Sequence, residues 1–221
     1  MKLTLAKISF ITLIVILFTS CNVIKRVKKE DYLLTDNTVY VNDKKNNSEA
    51  VTNLLYQKPN GKLLGFPLRL HIYNLARPNI DSIVDSQINA NPKKKERLTK
   101  FLSQKQFDKY YQSKKDFNDW LKKTGEAPVI VNELRTEKSI INLKKYYYNK
   151  GWFDVATSYE IKKDSNQRAT IDYKVTTGEP YILDSITSKI GTPIIDTLYK
   201  TLKKKSLIQK GQQFDASNFD G

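Results

Sequence analysis

The chain has 221 residues, 38 basic and 23 acidic side chains and a formal net charge of +15, with one histidine and one cysteine. A single cysteine excludes any disulfide within the chain, so stability has to come from packed cores. The lysines are spread in short clusters, such as Lys93-Lys94-Lys95 and Lys203-Lys204-Lys205, which read first as a solvated surface and, as a functional partner, fit anionic lipid headgroups.

The first elements form a leader. Lys2 and Lys7 give a positive start, and Ile8 to Phe18 is an apolar run broken only by Ser9 and Thr12. At about 1.5 Å per residue this run spans roughly 17 Å, against about 30 Å of hydrocarbon, so it reads as the core of a signal peptide and not as a membrane span. Thr19 and Ser20 are the small residues that signal cleavage requires. Phe18-Thr19-Ser20-Cys21 resembles the bacterial lipobox, with Phe18 in the place usually held by Leu. That likeness implies a diacylglycerol thioether on Cys21 and a further acyl chain, such as palmitate, on the freed amine. Several acyl chains hold a protein on a membrane durably, since each buried CH₂ contributes about 0.8 kcal/mol. Residues 1–20 carry two lysines and no acids, leaving 36 basic and 23 acidic residues, net +13, on the mature chain. An exported chain rarely meets nucleic acid, so nucleic acid is not expected as a partner.

Residues 21–37 read as a basic tether behind the lipid. Thr38 to Val41 alternates as a strand, Asn42-Asp43 turns, and Ser48 caps a helix carrying Val51, Leu54 and Leu55, which Pro59-Asn60-Gly61 stops. Gly65 and Pro67 break the apolar stretch Leu63 to Leu70, which is expected to be a buried irregular loop. His71 falls in the alternating segment Leu70-His71-Ile72-Tyr73. From Lys93 to Lys123 the pattern is helical: Leu98, Phe101 and Leu102, then Phe107, Tyr110 and Tyr111, then Phe117, Trp120 and Leu121 recur at helical spacing. Those aromatics are expected to face a packing neighbour.

Thr136 reads as the cap of a helix that carries Ile140, Leu143 and Tyr147 and ends at Gly151, the left-handed residue. Phe153 to Ile161 and Ala169 to Val175 alternate as two strands around Asp164-Ser165-Asn166-Gln167, a hairpin. Tyr181-Ile182-Leu183 with Ile186 is expected to open another strand, and Thr192-Pro193 to cap a helix holding Ile195, Leu198 and Leu202.

Leu143 to Val155 resembles the second helix of a POTRA domain and its aromatic exit onto a strand. Tyr173 to Tyr181 is similar to the end of the POTRA hairpin, and Lys210-Gly211-Gln212-Gln213-Phe214-Asp215 to the link between a POTRA domain's two helices. Together with the lipobox, and with Tyr32-Leu33-Leu34-Thr35 and Gly65-Phe66-Pro67, the chain resembles the N-terminus of lipidated TamA/BamA-like outer-membrane assembly proteins, the TamL group of Bacteroidetes. The likeness implies an α+β fold. A POTRA-like domain at 38–178, with a helical insertion at about 58–130, would be followed by a partial second domain at 179–221 and, in a longer protein, by a barrel. In the first domain Thr38 to Val41 would join the hairpin in one sheet, covered by the helices Ser48 to Tyr56 and Thr136 to Asn149. Tyr181 to Lys189 would lie in a separate sheet.

The function this implies is a periplasmic binding module at the outer membrane. Unfolded outer-membrane proteins or an inner-membrane TamB-like protein would bind by adding a strand to a sheet edge. Such recognition uses backbone groups and leaves no side-chain signature, so Phe153 to Ile161 or its hairpin partner is the candidate edge. A surface lipoprotein that binds glycan or adhesion partners is the alternative. An enzyme is not expected: with Cys21 committed to lipid no Cys–His pair remains, His71 reads as structural, and no Gly-x-Ser-x-Gly elbow or phosphate-cradling glycine loop is present. Metal ligation would rest on unclustered carboxylates, and no cofactor is implied.

Overall fold

The computed structural model describes residues 23–90 and 92–219. Cys21, the leader and the side chains of Leu98 and Phe101 lie outside the described residues. In chain order the elements are β1 (Leu33–Val41), β2 (Lys44–Lys45), α1 (Glu49–Thr52), α2 (Leu68–Leu75), α3 (Ile80–Asn89), α4 (Pro92–Phe101), α5 (Gln104–Thr124), α6 (Glu133–Asn149), β3 (Ala156–Lys163), β4 (Arg168–Thr176) and α7 (Pro193–Leu202). The fold is α+β. Among the described residues four strands form one mixed sheet in the order β2-β1-β4-β3. The β1–β2 and β3–β4 pairs are antiparallel. β1 runs parallel to β4, since Leu33 N–H bonds Gln167 O and, nine residues on, Asn42 N–H bonds Val175 O. The chain divides into two compact units.

One unit comprises Asp36–Lys58, Asn132–Lys163 and the described part of Ala169–Gly221. The hairpin alternates as the sequence predicts: Thr157, Tyr159 and Ile161 lie opposite Val175, Tyr173 and Ile171. Ala169, Ile171, Tyr173 and Val175 are buried, as are Val39 on β1 and Leu143 on α6. Burying each large side chain of this set contributes about 1.5–3 kcal/mol. The cap of α6 is Asn132, whose side chain accepts a hydrogen bond from Arg135 N–H, so the helix starts at Glu133. Thr136, expected as the cap, is instead fully buried within the helix. Its hydroxyl donates to Asn132 O and accepts from Gln57 Nε2 at 2.7 Å. Beyond its single turn, the Ser48 helix gives up its backbone groups to α6: Tyr56 N–H donates to Ser139 Oγ, and Leu54 O accepts from Asn142 Nδ2. Gly151 closes α6 at φ +91°. Phe153 precedes β3 and packs in an aromatic cluster with Tyr148, Tyr181 and Phe214.

A further expectation fails in this unit. Tyr181 to Lys189 forms no second sheet among the described residues; it makes a single bridge, Ile182 to Gln213, because its partner segment is only a few residues long. The helix α7 starts at Thr192-Pro193 as expected, but it buries none of its residues.

The other unit comprises the described part of Met1–Thr35 with Pro59–Val131 and Asp164–Arg168. Leu33 and Leu34 are buried and pair with the segment around Ile130. The Asn60 side chain locks that segment by bonding Ala127 O and Val129 N–H. α2 packs on α5. At their contact the backbone of Gly125 comes so close to Tyr73 that a Cβ would lie 2.5 Å from the Tyr73 nitrogen. Val84, Phe107 and Tyr111 form the core between α3 and α5.

Three readings are corrected here. Leu63 to Phe66 is a two-residue hairpin turn and not a buried loop. Leu64 and Gly65 both take positive φ, 51° and 81°, and Leu64 is fully exposed. His71 lies on a helix, α2, because Pro67 at the helix entry leaves the following residues free to coil. The 93–123 section is helical as expected, in two helices split where Ser103 and Gln106 form a reciprocal capping box, but its aromatics do not all pack on a neighbour. Of its aromatics, Phe107 and Tyr111 are buried, whereas Tyr110, Phe117 and Trp120 are half or more exposed.

Candidate functional site: the open edge of the sheet

The strand order makes β3 an edge and β4 a central strand. The candidate edge therefore narrows to β3, since both sides of β4 are taken. The opposite edge, β2, is only two residues long.

Two hydrogen bonds fix which groups of β3 are unused. In the hairpin Asp164 N–H bonds Arg168 O, so the pairs of the same parity, such as Lys162–Thr170, Glu160–Asp172 and Ser158–Lys174, exchange the ladder bonds. On the other side of β4, Val175 O accepts from Asn42 of β1, so the odd-numbered residues of β4 face β1. Both observations give the same answer. The N–H and C=O groups of Thr157, Tyr159 and Ile161 point away from β4, and among the described residues no strand lies beyond them. A further strand would find three donors and three acceptors in register there.

The two faces of β3 differ. Thr157, Tyr159 and Ile161 are half-buried on the face that α6 packs against. On the other face Glu160 lies directly opposite Asp172, two carboxylates that would repel. Each is matched by a diagonal lysine: Lys162 Nζ reaches Asp172 Oδ2 at 2.7 Å and Lys174 Nζ reaches Glu160 Oε2 at 3.2 Å. The Asp172 carboxylate, and more weakly that of Glu160, raise the Lys162 pKa above the ordinary lysine value. This charge lattice ties β3 to β4 without covering the edge.

Of the two enzyme candidates, Cys21 lies outside the described residues and His71 lies on α2. His71 is stacked on Phe66 with ring centroids 4.3 Å apart, and its buried Nδ1 has no hydrogen-bond partner. Burial lowers its pKa, so the ring is neutral at pH 7. Among the described residues no three His, Cys, Asp or Glu side chains gather as metal ligands. No helix among them is long and apolar enough to cross a membrane. The side chains of the sequence could not reveal the outward groups of β3, because they are backbone atoms whose availability depends on the strand order.

Compared with known proteins, the chain matches no protein-family model, no curated protein and no solved structure.

Proposed function

We propose that this protein is a lipid-anchored, POTRA-like binding module of an outer-membrane assembly factor. It works on the periplasmic side and takes an extended client strand along β3. The observation that carries this reading is the row of outward backbone groups at Thr157, Tyr159 and Ile161, on an eight-residue edge with no proline. The order of a strand, helices and a closing hairpin supports it once α2 to α5 are set aside as an insertion, as does the packing of α6 on β3. Strands of outer-membrane barrels alternate apolar and polar residues over about ten positions, which matches an edge that offers hydrogen bonds without sequence-specific pockets. The anchor belongs to the same proposal: Cys21→Ala is expected to release the protein from membranes, and an unacylated native N-terminus would overturn the anchor.

The test of strand addition is residue-resolved amide exchange with a synthetic peptide of one barrel strand. Protection should appear at Thr157, Tyr159 and Ile161, and methylating alternate amides of the peptide should abolish it. Protection confined to other elements, or insensitive to methylation, would refute the reading.

A glycan-binding surface remains the second reading, because one observation favours it. A cavity of about 600 Å³ in the sheet-bearing unit is lined by the rings of Tyr146, Trp152 and Phe214 and the amides of Gln212, Gln213 and Asn218. Tryptophan fluorescence that responds to a panel of oligosaccharides, with no peptide effect on β3, would favour it over strand addition.

A further inference from the structure

The exposed aromatics of α5 border a cavity that neither the leader nor the sheet edge explains. It lies between α3 and α5 within one unit and measures about 470 Å³. Leu75, Ile80, Ile83, Val84, Phe117 and Leu121 supply its apolar lining, with Val84 and Leu121 buried at its base. Leu75 and Phe117 are more than half exposed, an unusual cost for two large apolar side chains on one rim. Trp120 extends the same rim, stacked on Phe117 with centroids 5.7 Å apart.

The polar part of the lining carries one sign of charge. Arg77 and Lys114 contribute cations, Gln87 and Asn118 contribute amides, and among the described residues no carboxylate lines the cavity. The acids of α3 face elsewhere: Asp81 and Asp85 are both taken by Lys115, at 2.9 and 3.8 Å. The Lys114 ammonium and the Arg77 backbone are held in place. Lys114 Nζ lies 3.2 Å from Gln87 Oε1 and over the rings of Tyr110 and Tyr111. The buried Asn118 side chain clamps the Arg77 backbone from both sides, accepting from its N–H at 2.6 Å and donating to its C=O at 3.1 Å.

An apolar slot with a cationic mouth complements a molecule with an alkyl chain and an anionic head. We propose that the slot between α3 and α5 binds a single-chain amphipathic anion, its chain over Val84 and Leu121 and its head at Arg77 and Lys114. The volume lies in the lower half of the range of small-molecule sites, about 300–1,000 Å³, which suits one chain better than the two of a diacyl lipid. The inference is independent of strand addition at β3.

Calorimetric titration of the full chain with monomeric dodecanoate, below its micelle concentration, tests the proposal. Saturable one-to-one binding is expected, with dodecyltrimethylammonium binding much more weakly. Lys114→Glu with Arg77→Glu should weaken dodecanoate by roughly tenfold or more, the scale of a lost charge-assisted hydrogen bond. Ile83→Trp should fill the slot and abolish binding. Equal binding of the cationic amphiphile to the unaltered chain would overturn the proposal without reliance on any variant. Binding to phosphatidylglycerol vesicles with none to the monomer would overturn it too, because the site would then be a membrane contact.

Discussion

Gly151 and Phe214 approach more closely than a side chain allows: a Cβ on residue 151 would lie 2.6 Å from the Phe214 carbonyl oxygen. The same residue sits at φ +91° and passes its carbonyl to Tyr181 N–H. Gly151 therefore serves twice, ending α6 in the left-handed conformation and admitting the segment around Phe214 against the chain that leaves the helix. Gly151→Val is expected to destabilise the protein by more than about 1 kcal/mol, because strain at positive φ adds to the clash. Urea denaturation reads this directly, and an unchanged midpoint would show that neither constraint matters.

The parity of the β3 ladder makes a paired prediction. Thr157→Pro removes a donor that points to solvent, and proline is tolerated at edge positions of that kind. Ser158→Pro removes a donor to β4 and leaves the Lys174 carbonyl without its partner, so it should cost at least about 1 kcal/mol more than Thr157→Pro. Equal losses would mean that the ladder assignment is wrong.

His71 predicts an acid limb of stability. Its folded pKa lies below the ordinary value of 6.5, through burial, so the unfolded chain takes up a proton that the folded chain refuses. The stability it contributes is fully present above pH 6.5 and falls as pH drops from there toward the lowered folded value. The slope has a ceiling of about 1.4 kcal/mol per pH unit. Denaturation curves at about pH 7.5 and about pH 5.5 should converge in His71→Leu relative to the unaltered chain.

Asp215 makes the corresponding prediction for a carboxylate. The hydrogen bond from Lys150, then that from Ser217, lowers its pKa from 3.8 to about 2. Its contribution is present above pH 3.8 and lost as pH falls through about 2. In Lys150→Met the carboxyl carbon of Asp215 should titrate closer to 3.8 by NMR, and an unmoved titration would assign the shift to Ser217 alone.

Local signals carried much of the fold. The alternation of Thr157, Tyr159 and Ile161 against Ile171, Tyr173 and Val175 located the hairpin because a strand with one covered face must alternate. Gly151 and Thr192-Pro193 marked helix ends because their backbone preferences act within a few residues. Thr136 misled for the same local reason: a hydroxyl suits a cap, but Gln57, far away in sequence, gave it a buried partner. Asn79 and the spacing of Ile80, Ile83 and Val84 are a local signal for α3.

The site depended on the rest. Nothing in the hairpin itself says whether β1 joins beside β3 or beside β4, so composition alone left either strand as the edge. Pairing of β1 with β4 decided it, through contacts more than a hundred residues apart. The same holds for the apolar run at Leu63 and Leu64, where the positive φ of Gly65 turned the chain outward and left both leucines in solvent. The sequence by itself determined the periodicity, the caps and the charge, because these are properties of neighbours along the chain. Only the tertiary structure decided which hydrogen-bonding edge and which apolar faces were left open, because exposure is what remains after distant segments have paired.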